Sequence, residues 1–201
     1  MRVLAMGPRS VLIEDIGDEP AAWAAGLRRA SLAGVVEVVP GAATVLVACR
    51  DERALADVRG RLASVHPIDP GRATGAAAIE LPVCYDGVDL AEVAAATGLS
   101  VDEVVAAHTA PIYTVAFCGF SPGFAYMRGL DLRLQLPRRD TPRTRVPRGS
   151  VAIAAEYTAV YPRPTPGGWH LLGTTERVMF DPDRSPPALL EPGTRVRFVA
   201  T

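Results

Sequence analysis

Apolar residues change their spacing along the chain, and the change divides it. Over residues 1–77, short β-branched runs alternate with helical periodicity. Val3–Met6 and Val11–Ile13 flank a turn at Gly7-Pro8, and Val35–Val39 and Thr44–Cys49 flank Pro40-Gly41, so each pair predicts two strands joined by a turn. Between the pairs, Pro20 stands at a first helical position behind Asp18 and Glu19, and Gly34 closes that helix. Asp51 is placed to cap a second helix with Leu55, Val58 and Leu62 on one face. The order β-β-α-β-β-α predicts a small α/β sandwich.

Residues 78–201 follow another pattern. An apolar strand, Ala78–Val83, precedes two capping-box spacings, Asp89-x-x-Glu92 and Ser100-x-x-Glu103, which predict short helices near 90–96 and 101–108. Acids in a helix's first turn complement its dipole, so these carboxylates are expected to stabilise helices rather than do chemistry. After Pro111 the chain breaks into short strands between Gly and Pro: Tyr113–Phe117, Val151–Ala154, Val160–Tyr161, Trp169–Leu172, Val178–Phe180 and Arg195–Val199. Such a series predicts a barrel or sandwich. The Gly/Thr/Ala stretch Arg72–Ala78 reads as a linker, giving a small α/β domain at 1–77 and a β domain at 78–201, an α+β chain.

Composition narrows the chemistry. Of the 201 residues, 49% are hydrophobic and 21% charged, enough for a substantial core, and the net charge of −1 argues against a nucleic-acid binder driven by bulk electrostatics. The chain has no Lys, which excludes a Schiff-base amine and a P-loop lysine, and no Asn, which excludes a Cys-His-Asn triad. It has no run of 18 apolar residues, and Pro8, Arg9 and Glu14 interrupt any signal-like stretch, so neither membrane nor export is expected. Cys49, Cys84 and Cys118, odd in number and widely spaced, suit free thiols in a cytoplasmic protein, and His66, His108 and His170 lack metal-ligand spacing.

Charge is unevenly placed. Residues 78–127 hold six acids and no basic residue, whereas seven of the 21 arginines crowd into 128–148. Four stretches then stand out: Gly119-Phe120-Ser121-Pro122-Gly123-Phe124-Ala125-Tyr126; Leu136-Pro137-Arg138-Arg139 with Pro142-Arg143; Gly149-Ser150-Val151-Ala152-Ile153-Ala154; and Tyr161-Pro162 followed by Pro166-Gly167-Gly168-Trp169 and Leu172-Gly173. In this order they resemble the 5-oxoprolinase B-subunit family, also called allophanate hydrolase subunit 1 or KipI-like. The resemblance implies a cyclophilin-like β-barrel behind the small α/β domain. It also implies work in a complex: with a C subunit of related fold and an A subunit, the family converts 5-oxo-L-proline to L-glutamate using ATP, with Mg2+ expected alongside the nucleotide at the level of the complex. KipI-like members instead inhibit a histidine kinase, and related domains occur in urea carboxylases and allophanate-processing enzymes. The chain departs from the family pattern at Ala155-Glu156-Tyr157-Thr158-Ala159, where Gly-x-Gln-Thr-Gly is usual, and at Thr174, where an Arg is typical.

Candidate residues follow from these stretches. Gly119, Pro122, Gly123, Gly167 and Gly168 shape loops that either present main-chain N–H groups to an anion or turn a barrel corner. Phe120, Tyr126 and Trp169, with Phe124, either wall a pocket for a small ring or belong to the core. Arg138 and Arg143, with Arg139, are spaced for a loop; their guanidiniums either receive a carboxylate or acyl phosphate or pair with the acidic block. His108 is a candidate general acid or base, or a partner of its helix end. Glu156, the only acid between Asp140 and Glu176, is the candidate general base, and Cys118 reads as a core thiol.

Overall fold

Alternation of buried and exposed side chains builds the first sheet. Strands β1 (Arg2–Ala5), β2 (Ser10–Glu14), β3 (Val35–Pro40) and β4 (Val45–Cys49) pair antiparallel in the order β1-β2-β4-β3. Val11, Ile13, Val45, Val47 and Cys49 pack with Ala24 and Leu27 of α1 (Pro20–Ala30) and Leu55 and Val58 of α2 (Glu52–Arg61) in one core. Asp51 caps α2, its carboxylate accepting from the Ala54 N–H at 2.8 Å. Helix α1 ends at Ala30 rather than at Gly34, because Ser31 turns into the left-handed region at φ 44° and its N–H and hydroxyl both donate to the Arg28 carbonyl.

The computed structural model describes residues 1–17, 20–68 and 77–201. Asp18 and Glu19, expected ahead of α1, and linker positions 72–76 lie outside the described residues. Contacts divide the chain into two units, Met1–Ala76 and Ala77–Thr201.

In the second unit seven strands form one sheet, ordered β12-β9-β10-β7-β6-β13-β5. They are β5 (Ile79–Val83), β6 (Tyr113–Cys118), β7 (Ala125–Arg128), β9 (Ser150–Ala154), β10 (Tyr157–Val160), β12 (His170–Thr174) and β13 (Arg195–Ala200). Only β13 and β5 run parallel. The outer strands meet where Cys84 and Thr174 exchange two main-chain hydrogen bonds, of 2.9 and 2.8 Å, so the sheet nearly closes into a barrel. Strands β8 (Arg143–Val146) and β11 (Thr165–Gly167) form a separate ribbon. The α+β class and the barrel implied by the family resemblance are therefore what the chain adopts.

Both sheet faces are covered. Inside, Leu81, Val115, Met127, Ile153, Leu172 and Phe198 pack with Val93 of α3 (Leu90–Thr97) and Val104 of α4 (Val101–Thr109). Outside, the small residues Ala116, Ala152, Ala154 and Ala159 leave room for Phe124, Tyr157, Tyr161 and Trp169. Each buried aromatic contributes about 2–3 kcal/mol, which makes this layer a second core. Ser100 and Glu103 form the expected capping box on α4, the Glu103 carboxylate accepting from the Ser100 N–H at 2.8 Å.

Strand positions differ from expectation in places. Val178–Phe180 is not a strand: Met179 is buried in the barrel core, and Phe180 makes an isolated bridge to Ala188. Strand β10 starts at Tyr157, ahead of the expected Val160–Tyr161, and β7, β8 and β11 carry no sequence signal strong enough to mark them. Among the described residues, no helix is long and apolar enough to cross a membrane.

Candidate functional site

The connection between β6 and β7 is a tight loop with its own hydrogen bonds. Gly119 N–H donates to the Phe124 carbonyl at 3.1 Å, and Phe124 N–H to the Ser121 carbonyl at 2.9 Å. Closing the loop places Gly123 at φ 82°, where a Cβ would lie 2.6 Å from the Phe180 Cβ, so only glycine fits. Phe120 sits at φ 66° with its side chain 60% exposed. A large apolar residue held in left-handed backbone and turned to solvent is costly to a fold, which makes Phe120 a candidate for function.

The segment Leu136–Arg139 has no regular structure, yet it is held at three points. The Leu136 carbonyl accepts from Ala155 N–H at 2.7 Å, and Arg139 N–H donates to the Gly168 carbonyl at 2.8 Å. The Pro137 carbonyl accepts from His170 Nε2 at 2.9 Å. Arg138 rides on this fixed main chain with its side chain exposed, and among the described residues no hydrogen bond or ion pair engages its guanidinium.

These pieces meet. Phe120, Phe124, Tyr126, Arg138, Tyr161, Pro166, Gly167, Gly168 and Trp169 line one pocket of about 80 Å³. Trp169 stands edge-on to Phe124 and Tyr126, with ring centroids 5.6 Å apart in each pair. The Tyr161 hydroxyl accepts from the Trp169 N–H and occupies the space a Cβ on Gly167 would need, 2.3 Å away. Burial pushes Tyr161 up to about 12 and also raises Tyr126, while the Arg138 charge pulls both the other way. The pocket thus combines aromatic walls, two neutral phenols and one unengaged cation. That set suits a small ring bearing a carboxylate, with Arg138 as a planar two-pronged donor.

A family model described as carboxyltransferase domain, subdomain C and D, matches residues 1–190. The 5-oxoprolinase B subunit of Escherichia coli O157:H7 is 40% identical over 207 residues, covering 98% of this chain and 95% of that one. The chain belongs to the 5-oxoprolinase B-subunit family. The crystal structure of TTHA0988 matches with a TM-score of 0.82 and 37% identity over 96% of this chain, which spans 40% of that longer one. The K. lactis urea amidolyase matches with a TM-score of 0.69 over 99% of this chain and 15% of its own, at 19% identity, a likeness of fold alone.

In this member of the B-subunit family, the candidate residues separate into three groups. Phe120, Tyr126, Arg138, Gly167, Gly168 and Trp169 line the pocket, together with Phe124, Tyr161 and Pro166. Gly119, Pro122 and Gly123 lie outside the lining, in the loop that presents Phe120. Arg143, His108 and Glu156 stand elsewhere. Arg143 opens β8 rather than lying in a loop, and its Nη2 donates to Asp89 at 2.5 Å.

His108 lies wholly inside the barrel and reaches no solvent. Its Nε2 meets the Thr158 hydroxyl at 2.9 Å; that hydroxyl spends its proton on the Ala152 carbonyl, so Nε2 carries the hydrogen and Nδ1 accepts from the Tyr85 hydroxyl at 2.7 Å. Burial lowers its pKa from 6.5 to about 3. A neutral ring with both nitrogens engaged in the core is a structural residue, not the acid or base expected. Glu156 is exposed in the turn between β9 and β10, outside the pocket lining, and its carboxylate accepts from the Tyr157 hydroxyl.

Asp89 departs furthest from its expected role. It makes no side-chain bond to its own helix; instead its 2% exposed carboxylate accepts from Arg139, Arg143 and the Leu171 N–H. The signal for this in the sequence is the acid block lacking any cation, followed by the arginine-rich block. Among the described residues, no group of three His, Cys, Asp or Glu side chains is arranged to hold a metal ion.

Proposed function

We propose that this chain is the B subunit of a cytoplasmic ATP-dependent 5-oxoprolinase, which with A and C subunits converts 5-oxo-L-proline, ATP and water to L-glutamate, ADP and phosphate. One observation carries the proposal: an exposed, unengaged Arg138 guanidinium at a small aromatic pocket floored by Gly167-Gly168. The ring carboxylate of 5-oxoproline would pair with Arg138 while its flat lactam lies against Trp169 and Phe120.

The pocket is a half-site. Complete ligand pockets enclose about 300–1,000 Å³, far above the 80 Å³ here. A facing surface from the C subunit would complete it. The unengaged cation at this pocket is assigned to the carboxylate of 5-oxoproline, and ATP with Mg2+ is taken to act at the level of the complex.

The test uses the reconstituted complex. Adding this chain to A and C subunits is expected to give ATP-dependent glutamate release from 5-oxoproline. Arg138→Ala should lower kcat/KM by about 10- to 100-fold, the loss of one charge-assisted hydrogen-bonded pair, with the unfolding midpoint unchanged. Unfolding of the variant would make Arg138 structural. No turnover by the full complex, alongside reduced histidine-kinase autophosphorylation, would favour a KipI-like inhibitor. The fold likeness to urea amidolyase keeps an allophanate-processing role as the third reading, tested by substituting that substrate.

A further inference from the structure

Beside its aromatic residues, the pocket is lined by Arg138 in the loop after β7 and by the continuous stretch Pro166–Trp169, which runs from β11 to the start of β12. Arg138, Gly167 and Trp169 all trace back to one carboxylate. Asp89 Oδ1 accepts from Arg139 Nη1 at 3.0 Å and from Arg143 Nη2 at 2.5 Å, and Oδ2 accepts from the Leu171 N–H at 2.8 Å. Arg139 follows Arg138 directly. Arg143 is the register partner of Gly167 in the ribbon. Leu171 lies just beyond Trp169 and His170 on β12.

We propose that Asp89 is the positioning residue of this pocket: its carboxylate fixes where Arg138, Gly167 and Trp169 stand relative to one another, and so how firmly the pocket grips a small carboxylate. Two other ties also join the Arg138 loop to the stretch from β11 to β12, Arg139 N–H to the Gly168 carbonyl and His170 to the Pro137 carbonyl. The Asp89 carboxylate adds side-chain ties to the Arg138 loop, to β8 and to β12 at once. An ionised carboxylate is acceptor-only and serves three donors at once, whereas an amide presents one acceptor oxygen and turns N–H groups toward the guanidiniums. Arg139 Nε and Arg143 Nη1 are buried without other partners, so neither guanidinium has a replacement for Asp89 close at hand, apart from the Glu92 contact to Arg139 at 2.7 Å. Only the identity of the ligand rests on the 5-oxoprolinase reading.

Trp169 reports the geometry independently of any substrate. In a Trp23→Phe chain the remaining tryptophan is Trp169, which is 5% exposed. Asp89→Asn is expected to increase acrylamide quenching of Trp169 at least about twofold, measured well below the unfolding midpoint, and Arg139→Gln to move it in the same direction by less. In the complex, both variants are expected to raise KM for 5-oxoproline at least about tenfold with kcat within about twofold, the mark of lost binding shared by ground and transition states. If Asp89→Asn does not fold, Arg139→Gln decides the matter. Unchanged Trp169 quenching in every folded variant overturns the positioning role. Altered quenching with no effect on 5-oxoproline overturns instead the substrate assigned to the pocket.

Discussion

A histidine in a family-like position looks chemical in a sequence, and at His108 depth decides against it. Its folded pKa of about 3 lies below the free value of 6.5, so between those limits the unfolded chain binds a proton that the folded chain refuses. Stability from this residue is therefore present above pH 6.5 and falls as pH drops toward 3, with a slope of up to about 1.4 kcal/mol per pH unit. The carboxyls of Asp51, Glu103 and Asp131, each held below the usual range, lose stability in the same acidic direction. They are common to both chains if the native protein is compared with His108→Gln, and they cancel. Urea unfolding at pH 7, 5.5 and 4 should show the native chain's advantage over His108→Gln shrinking as pH falls; a pH-independent difference would mean the ring is not held neutral. Residue chemistry was legible here, but residue depth was not. Nothing in Val-Val-Ala-Ala-His-Thr distinguishes a histidine facing the barrel core from one facing water. Likewise Arg138, Arg139 and Arg143 read as one cationic strip, yet Arg138 alone meets the pocket while the other two turn to Asp89. Adjacent residues on extended chain point to opposite sides, and only the distant carboxylate settles which side is which.

Elements were legible where their period was long enough to see. The first unit's hairpins and α2 follow from alternation, turn residues and one cap, all local. The barrel's short strands do not announce themselves: Ala125–Arg128, Arg143–Val146 and Thr165–Gly167 are each too short and too mixed in polarity to carry a period, and they pair because the neighbouring strands present edges. The β9–β10 hairpin shows a cost at this scale. Ala155 occupies the turn at φ 48°, where the family pattern has glycine. Left-handed backbone costs a residue with a Cβ about 1–2 kcal/mol, and glycine's greater unfolded freedom offsets part of that. Ala155→Gly is therefore expected to stabilise the chain by about 0.5–1 kcal/mol, raising the thermal midpoint by about 1–4 °C in a protein of this size. The exposed side chain makes no packing contribution to lose, and the N–H bond to the Leu136 carbonyl remains. A lower midpoint by calorimetry would show that the turn does not need its left-handed residue.

At the scale of the whole molecule, the pocket and its rim point outward. The barrel interior and the outer aromatic layer are both filled, so the pocket can gain further contact only at its rim, where Phe120 is left 60% exposed beside Arg138. In the isolated chain Phe120 keeps an edge contact with Phe124, centroids 5.2 Å apart, and little else that burial would reward. Phe120→Ala should consequently change the stability of the chain by less than about 1 kcal/mol, as surface truncations do. An aromatic at the centre of an interface behaves differently: truncating it typically costs about 2 kcal/mol or more, near 30-fold in affinity. If the C subunit lies over this loop and closes the half-site, calorimetric titration of that partner into the variant should show binding weakened by that factor. The part of the turnover loss that comes from weakened assembly should then recover at high protein concentration, leaving only the loss of the lactam's contact with Phe120. Arg138→Ala should behave oppositely, assembling normally and keeping its loss of about 10- to 100-fold in kcat/KM at any protein concentration. Equal affinity of native and Phe120→Ala chains for the C subunit would remove the rim loop from the interface and leave the exposed phenylalanine to the ligand alone.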